Sequence, residues 1–556
     1  MNLIQVVLGV SGYRQARAFD HSCKHPRQTQ ETLLKRILEV NSGTAFGKDY
    51  GFSSTRSIEE FQKKVPISSY NDLEPYIKRA ARGEPRQLTV DPPILFATTS
   101  GTTGVPKYIP ITKTSRRDKS TAMRLWLYHS ATEHPKMFDG NILGVVSPEV
   151  EGMTECGLPY GAESGHCYRN MPKIMRGVYA IPYDAFTLKD YEAKYYTMLR
   201  IAAGKNITVI GTCNPSTILL LAQKLAQYQE PIIRDIRDGT LRPDLDIPGE
   251  IREQLEASFS PDPDRAAYLE TCMLRENVLL PKDAWPNLAL IGCWKGGSVA
   301  LYLREFGKLF DPQTPIRDWG YLASEVRGSV PLWDEGCGGA LTIETNFFEF
   351  VREHEIEWQS RSYLTADELE DGQRYYVFPT TTGGLYRYEM NDLILVNGFH
   401  EDTPIIEFIQ KGKGVSSLTG EKLYETHVCA AVGKCADVIP EGFEFIVSTP
   451  EWSEPPRYVF LVEETHKPVP DSQWRNWIGM IDKCLCKENE EYEVKRKSFR
   501  LAPAAVKVVA QGELQRYRQQ RVAEGAPDGQ FKMLKLNPDL EFQKEFRVER
   551  VIETED

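Results

Sequence analysis

The stretch FATTSGTTGVPKYIPIT, residues 96–112, begins at the end of the apolar run PPILF and guides the interpretation of the whole chain. It brings hydroxyl residues and two glycines close together, and a proline and a lysine follow. A loop that binds phosphate needs backbone N–H groups that point one way, hydroxyl donors and little side-chain bulk. The stretch meets these needs, and a solvated Ser/Thr/Gly turn is the alternative interpretation.

The spacing of this loop excludes one common nucleotide site. A Walker A motif has four residues between its first glycine and the Gly-Lys pair, and GTTGVPK does not fit that spacing. A standard P-loop NTPase is therefore not predicted. The candidate phosphate-binding residues are Thr99, Ser100, Gly101, Thr102, Thr103 and Lys107.

The bulk composition is that of a globular protein with a sizeable core. The 556 residues are 41% hydrophobic and 26% charged, and the net charge is −11. That charge argues against a general nucleic-acid binder, which would carry a basic face. No apolar run approaches the roughly 18 residues of a membrane span. We therefore expect no nucleic-acid partner and no membrane partner.

The cysteines and the first residues bear on metal content and location. The eleven cysteines are scattered without a CxxC pair, so neither a structural zinc site nor an iron–sulfur site is predicted. The start, MNLIQVVLGVSGYRQARAF, has neither a basic n-region nor a small-residue cleavage site. It is interpreted as a docking helix, and a cytoplasmic location is expected.

Strands and helices alternate through much of the chain. NITVIG (206–211) is a short apolar strand, and NPSTILLLAQKLAQY after it starts with a helix-start signal. LALIGCW (288–294) is a second strand, followed by the helical pattern VALYLREFGKLF. This alternation predicts a mainly parallel sheet covered on both faces. From about Gly338 closely spaced strand patterns predict antiparallel hairpins or a small barrel.

These patterns predict an α/β fold with two domains. A large N-terminal α/β domain with parallel sheets and a small barrel-like β part would occupy residues 1–410. The segment 411–425 is rich in Gly, Lys and Ser and is predicted to be the hinge. Residues 426–556 mix helix and strand and would form a smaller, mobile α+β domain.

Four further motifs stand in a fixed order after the loop. They are WGYLASE (319–325), GGLYRYEMNDLI (383–394), TGEKLYE (419–425) and GQFKMLKL (529–536). With the loop, this order resembles the auxin-responsive acyl-acid amido synthetases, the Gretchen Hagen family of the adenylate-forming enzymes. The resemblance runs from about Thr29 to about Lys535. It implies that the loop binds ATP.

The resemblance also assigns roles to single residues. It implies that Glu325 holds Mg²⁺, and a hard carboxylate oxygen suits that ion. It implies that Asp392 accepts hydrogen bonds from the ribose hydroxyls and that Lys532 is the mobile catalytic lysine, which stabilises developing charge. The remaining nucleotide contacts that it implies are Tyr321 and Ser324 in WGYLASE and Lys422 in TGEKLYE. For each residue the alternative is an ordinary structural role.

The chain departs from the family pattern at three positions. Glu389 stands where the family usually has Arg, and Asn391 stands where it usually has Gly. Asparagine tolerates a left-handed backbone, so the turn at Asn391 can be kept. Phe531 stands where Tyr is common before the lysine.

The function that the resemblance implies is a ligation in two steps. A carboxylic acid is adenylated by ATP, and the acyl group then passes to an amine, which by resemblance belongs to an amino acid. The small-molecule acid and the amine would be the partners. An acid:CoA ligase shares the first step and is the first alternative. A non-catalytic nucleotide-binding protein on the same fold is the second alternative.

Overall fold

The computed structural model describes residues 3–99, 107–356, 361–412, 414–435, 443–464, 468–523 and 535–554. The chain divides into two compact units. The first unit consists of residues 1–99, 108–390 and 394–408, and the second consists of residues 100–107, 391–393 and 409–556. Among the described residues, no helix combines the length and the apolar character needed to cross a bilayer.

The first unit contains sixteen α-helices among its described residues. In chain order they are α1 (Leu3–Cys23), α2 (Pro26–Asn41), α3 (Ala45–Asp49), α4 (Ile58–Lys64), α5 (Tyr70–Ala81), α6 (Lys113–Glu133), α7 (Glu163–Arg169), α8 (Lys173–Arg176), α9 (Tyr183–Phe186), α10 (Tyr191–Ala203), α11 (Pro215–Gln227), α12 (Gln229–Asp238), α13 (Gly249–Glu256), α14 (Pro263–Glu276), α15 (Pro281–Ala284) and α16 (Phe306–Leu309). The second unit contains α17 (Glu425–Lys434), α18 (Asp471–Glu488), α19 (Glu490–Lys497) and α20 (Glu513–Ala523).

The strands are short in the first half of the chain and longer in the second half. They are β1 (Pro93–Thr99), β2 (Lys107–Thr112), β3 (Asn141–Gly144), β4 (Gly152–Met153), β5 (Pro159–Gly161), β6 (Ile207–Gly211), β7 (Leu290–Gly292), β8 (Ile316–Arg317), β9 (Ser329–Val330), β10 (Gly339–Leu341), β11 (Asn346–Arg352), β12 (Arg374–Thr381), β13 (Asp392–His400), β14 (Thr403–Lys411), β15 (Val415–Ser416), β16 (Leu423–Tyr424), β17 (Phe443–Glu451), β18 (Arg457–Glu464), β19 (Ala505–Val509) and β20 (Val548–Ile552).

A parallel sheet with the order β3-β6-β7-β8 lies in the first unit. Its strands are apolar and mostly buried because helices pack on a parallel sheet from both sides. Helix α11 starts directly after this sheet's second strand in the chain. Its cap is Asn214, whose side chain accepts the backbone N–H of Ser216 at 2.9 Å, and Pro215 occupies the first turn. The predicted parallel sheet is therefore confirmed.

Two other sheets complete the first unit. One has the order β2-β1-β5-β4, with β1 and β5 parallel. The other has six strands in the order β11-β12-β13-β14-β10-β9, and its pairs β11–β12, β10–β14 and β9–β10 are antiparallel. The antiparallel hairpins predicted after Gly338 are thus present, and the predicted barrel-like part is this sheet.

The second unit is an α+β structure with its own core. Its sheet has the order β17-β18-β19-β20, in which β18 and β19 are parallel and the outer pairs are antiparallel. Trp474 and Trp477 of α18 are fully buried against Phe443 of β17. The segment predicted as the hinge contains the paired strands β15 and β16. The domain boundaries at 410 and 425 stay a prediction.

Candidate functional site

The parallel sheet places several loops at one edge of the first unit. Parallel strands share their carboxyl ends, and binding sites in such sheets lie outside those ends. Strand β8 ends at Arg317, and WGYLASE follows after one residue. Trp294 and Lys295 follow the end of β7, and Cys213 follows the end of β6. The motif that was predicted to contact the nucleotide therefore starts at this edge.

WGYLASE forms a tight turn. The backbone N–H of Ala323 donates to the carbonyl of Val326 at 2.8 Å, and Leu322 pairs with Arg327 across an isolated bridge. This geometry leaves Ser324 at the tip of the turn. The chain reverses its direction within these residues. Glu325, the predicted magnesium ligand, directly follows Ser324.

A glycine makes the start of the turn possible. Gly320 has φ of +80°, and a Cβ at this position would lie 2.6 Å from the carbonyl oxygen of Ser329. Any other residue would be strained in this conformation and would collide with the backbone. The next residue, Tyr321, is anchored by its N–H, which donates to Ser329 Oγ at 2.9 Å.

The carboxylate of Glu325 lines a narrow cleft. Asp118 and Lys119 of α6 lie on the cleft wall, together with Arg327 and Thr382. Two acidic and two basic side chains therefore share one small space. Such an arrangement can balance the charges of a phosphate and a metal ion, because each charge has an opposite partner nearby.

Lys119 fixes the tip of the turn. Its ammonium donates to the backbone carbonyl of Ser324 at 2.6 Å and to the Glu163 carboxylate at 2.6 Å. These charge-assisted bonds are stronger than neutral ones. Lys119 therefore holds the backbone beside Glu325 in place. No sequence motif contains this lysine, and it was not predicted.

Burial perturbs the other charged groups of the cleft. Asp118 Oδ2 accepts the hydroxyl of Thr382 at 2.7 Å, and burial raises the pKa of this carboxyl. Burial also lowers the pKa of the Arg327 guanidinium to about 10. Both shifts disfavour the charged form, as desolvation does. Perturbed groups in a cleft are typical of functional sites.

Tyr321 is buried, and its ring lies parallel to that of Phe408. The centroids are 6.2 Å apart and the interplanar angle is 6°. The stacking of Tyr321 on adenine stays a prediction.

The predicted ribose ligand Asp392 belongs to the second unit. It is the first residue of β13, is buried and forms an ion pair with Lys411 of β14. The residue before it, Asn391, has φ of +52°, so the predicted tolerance of a left-handed backbone is confirmed. Its carbonyl accepts the N–H of Gly412 at 2.7 Å, next to the start of β13 and the end of β14. Glu389 is exposed.

Two predicted lysines also belong to the second unit. The Lys107 ammonium lies 6.0 Å from the ring centroid of Tyr424. The backbone of Lys422 is held on both sides, because its N–H donates to Glu491 at 2.9 Å and its carbonyl accepts the amide of Asn489 at 2.7 Å. Their phosphate contacts stay predictions.

The remaining predicted residues lie at or beyond the described part of the chain. Thr99 is the last residue of β1. Ser100, Gly101, Thr102, Thr103 and Lys532 lie outside the described residues. Among the described residues, Tyr321, Ser324 and Glu325 therefore belong to the first unit, and Asp392, Lys107 and Lys422 belong to the second.

A metal ion fits the cleft by the chemistry of its donors. Mg²⁺ is held by one or two carboxylates and by substrate phosphates. Glu325 supplies one carboxylate, and Asp118 supplies a second one in the same cleft. A different group of possible ligands, Glu133, His134 and Asp334, does not fit, because the guanidinium of Arg317 donates to both of its carboxylates.

Family models match three successive parts of the chain. The GH3 family N-terminal domain matches residues 15–316, the central domain matches 339–411 and the C-terminal domain matches 426–540.

The chain belongs to the GH3 family.

Curated relatives match this GH3 chain over nearly its whole length. An indole-3-acetic acid-amido synthetase of Arabidopsis thaliana, GH3.10, is 25% identical and is matched over 92% of this chain and 93% of its own length. A jasmonoyl–L-amino acid synthetase of Nicotiana attenuata, JAR6, is 26% identical over 92% of this chain and 91% of its own. The family resemblance inferred from the motifs is therefore confirmed.

The GH3 fold is also found among solved structures. The GH3.15 acyl acid amido synthetase has a TM-score of 0.64 and 21% sequence identity, and the match covers 97% of this chain and 96% of that one. The complex of AtGH3.15 acyl acid amido synthetase with 2,4-DB has a TM-score of 0.65 at 20% identity. At these identities the likeness shows the fold, which is α/β with a separate C-terminal domain.

Proposed function

We propose that this GH3 protein is an ATP-dependent acyl-acid amido synthetase. It would activate a carboxylic acid as an acyl-adenylate and transfer the acyl group to the amine of an amino acid. The products would be an amide, AMP and pyrophosphate. The observation that carries the proposal is the cleft in which Lys119 fixes the turn beside Glu325.

The first step solves a leaving-group problem. A carboxylate is a poor acyl donor because its leaving group would be oxide. Attack of the carboxylate on the α-phosphorus of ATP forms a carboxylate–phosphate bond and breaks the bond to pyrophosphate. AMP then becomes the leaving group for the attack by the amine, which loses a proton as the amide forms. Both steps conserve the atoms and charges of the substrates.

The residues of the chain would bind and orient these groups. The donors of residues 99–103 and Lys107 would hold the phosphates of ATP, and Tyr321 would stack on its adenine. Asp392 would accept from the ribose hydroxyls, and Lys532 would lie near the α-phosphate, where it stabilises developing negative charge. Asp118 and Arg327 in the cleft are already partly desolvated, so their charges would interact more strongly with the bound phosphates than they would in water.

Glu325, with Asp118 beside it in the cleft, would hold Mg²⁺. When bound, the ion would neutralise phosphate charge and favour departure of pyrophosphate. Lys119 would keep the Glu325 carboxylate oriented through its bond to the carbonyl of Ser324.

We also propose that residues 411–425 act as the hinge between the two half-reactions. Rotation of residues 426–556 would withdraw Lys532 after adenylation and admit the amine. Hinge motion of this kind commonly separates two steps at one site.

The acceptor distinguishes the proposal from its nearest alternative. An acid:CoA ligase would use the same adenylation and then attack by a thiol. The names of the relatives support an amino-acid amine, because the matches over more than nine-tenths of the chain are amino-acid conjugating synthetases. A non-catalytic nucleotide-binding protein would bind ATP without releasing pyrophosphate.

The test is pyrophosphate release from ATP across a panel of aryl and aliphatic carboxylic acids, with hydroxylamine as a general amine. Release with one class of acid identifies the donor. Replacing hydroxylamine with amino acids or with CoA then identifies the acceptor. If no acid in the panel causes pyrophosphate release although ATP still binds, this would contradict the proposal and favour the non-catalytic alternative.

A further inference from the structure

A broad groove on the first unit lies apart from the cleft of Glu325. Its volume is about 1000 Å³, and it is open to solvent. It is formed where the segment from α7 to α9 faces the end of α10 and the loop before α14. Its lining includes Tyr168, Arg169, Lys173, Arg176, Arg200 and Lys205.

The topology separates this groove from the candidate active site. Lys205 of the groove directly precedes β6, whereas Cys213 follows the end of that strand. The groove therefore lies by the amino end of β6, and the loops of the candidate site leave the carboxyl ends. A ligand of this groove would not occupy the cleft of Glu325.

Cations outnumber acids on the groove wall. The basic side chains are Arg169, Lys173, Arg176, Arg200 and Lys205, and the acidic side chains are Asp184 and Asp262. Asp262 Oδ1 accepts the backbone N–H of Arg265 and caps α14, and its negative charge also acts on Arg200. The groove wall thus carries an excess of positive charge in a chain whose net charge is −11.

Most of these cations have no carboxylate partner in the part of the chain that the structure describes. Arg169 pairs with Glu149 at 3.0 Å. The Arg176 guanidinium donates to the backbone carbonyls of Arg169 and Met171 at 2.7 and 3.2 Å. The Lys205 ammonium donates to the carbonyl of Ala180 at 2.9 Å. Carbonyl oxygens satisfy donors but leave the positive charge unbalanced.

Burial makes this imbalance costly. Arg200 is only 4% exposed, and its hydrogen bonds go to the backbone carbonyls of Thr240 and Asp235. Burial lowers the pKa of Arg200, and the charges of Asp235 and Asp262 oppose that shift. A desolvated cation is stabilised by an anion that enters its surroundings. The structure therefore points to an anionic ligand for this groove.

We propose that the groove binds a small molecule that carries several phosphate groups. A single carboxylate would balance only part of the excess positive charge, whereas linked phosphates supply several negative charges and many acceptors. Guanidinium groups bind phosphate oxygens in a bidentate way, and the ammonium groups add point charges. Arg169 lies over the ring of Tyr183, and Arg200 lies over the ring of Phe259.

The test is calorimetric titration of the full chain with inorganic tripolyphosphate. The catalytic site is first saturated with a non-hydrolysable ATP analogue. We expect one saturable site per chain. Lys173 and Arg176 are exposed, so K173E and R176E should fold normally, and each should weaken binding about tenfold. Lys173 has no hydrogen bond to lose among the described residues, so K173E isolates the effect of charge.

The matched control is K282E. Lys282 is an exposed lysine on the wall of another cavity of the same unit. We expect K282E to bind tripolyphosphate as the parent does. Absence of saturable binding to the parent, or parental affinity in both K173E and R176E, would overturn the proposal. Citrate binding as tight as tripolyphosphate binding would contradict the assignment to phosphate.

Discussion

The carboxylate of Asp318 accepts the backbone N–H of Lys295 at 2.5 Å and so ties the loop after β7 to the loop after β8. Its other oxygen accepts the N–H of Gly320 at 2.5 Å. The backbone carbonyl of Asp318 accepts the indole N–H of Trp126 at 2.7 Å, and Trp126 stacks on Trp319. Asp318 therefore positions the start of the turn that carries Glu325.

We expect D318N to lower kcat for pyrophosphate release about tenfold to a hundredfold, with a smaller change in KM. The amide presents an NH₂ group to one of the two N–H donors, and the turn shifts. Steady-state kinetics against ATP and the acid check this. The control is D311N, since Asp311 only accepts the N–H of Gln313 in an exposed turn. A parental kcat in D318N would contradict the positioning role.

The same carboxylate should make stability depend on pH. Burial raises the pKa of Asp318 from 3.8 to about 6, assisted by the charge of Glu407 and opposed by its two N–H donors and by Lys295. Because the folded state binds the proton more tightly than the unfolded state, this group opposes folding above its folded pKa. The unfavourable contribution of Asp318 to the stability of the fold becomes smaller as the pH falls.

From about pH 7 to about pH 5, the parent should gain about 1 kcal/mol of unfolding free energy relative to D318N. Denaturant titrations of both proteins at the two pH values measure this difference. An equal difference between parent and variant at both pH values would show that Asp318 does not titrate in this range.

The buried pair Arg387–Glu349 should dominate the stability of the segment before Asp392. Both side chains are buried, and two hydrogen bonds of 2.8 and 2.9 Å join them. Removing the charge in E349Q leaves the guanidinium buried without its counter-ion. We expect a loss of about 3–5 kcal/mol of unfolding free energy.

A half-exposed pair on the same strand provides the control for E349Q. Arg352 pairs with Glu370 at 2.6 Å, and E370Q should cost no more than about 1 kcal/mol. Chemical denaturation of the three proteins provides the comparison. Equal losses in E349Q and E370Q would mean that burial does not set the strength of the Arg387 pair.

The sequence predicted the framework of this molecule better than its site. NITVIG and LALIGCW are short apolar runs, and burial on both faces of a parallel sheet requires such runs. Both contain strands of that sheet, β6 and β7. The segment VALYLREFGKLF is helical, but a 3₁₀ helix at residues 297–305 precedes α16. An apolar pattern over so few residues does not distinguish the period of a 3₁₀ helix from that of an α-helix.

The site contains contacts that no local pattern predicts. Lys119 and Ser324 are 205 residues apart, and only the packing of α6 against the parallel sheet's edge brings them together. Asp318 precedes WGYLASE and does not belong to it. Its positioning role depends on Lys295 in the loop after β7. The resemblance assigned roles to the residues of WGYLASE, but its turn depends on hydrogen bonds between Tyr321 and Ser329, which lies outside the motif.

If Glu325 binds Mg²⁺, its replacement should raise the concentration of Mg²⁺ that the reaction needs. We expect E325Q to need about tenfold more Mg²⁺ for half-maximal pyrophosphate release, because a neutral amide is a poor ligand for a hard cation. Titration of Mg²⁺ at saturating ATP checks this. E335Q is the control, since Glu335 is exposed in a neighbouring loop. An unchanged Mg²⁺ requirement in E325Q would assign the ion to another residue.

Lys532 should act on adenylation and not on folding. We expect K532A to slow pyrophosphate release about a hundredfold or more while the unfolding transition stays in place. The control is K535A, because the Lys535 ammonium is engaged by the carbonyls of Phe445 and Ile446. Single-turnover measurements of both variants separate the two lysines. Parental adenylation in K532A would remove Lys532 from the mechanism.

Transfer of oxygen from the acid to AMP is the direct evidence for an acyl-adenylate intermediate. The acid is supplied with both carboxylate oxygens as ¹⁸O, and the products are weighed by mass spectrometry after complete turnover with an amino acid. We expect one ¹⁸O in each AMP and one in each amide. Label in inorganic phosphate, or unlabelled AMP beside a formed amide, would contradict an acyl-adenylate.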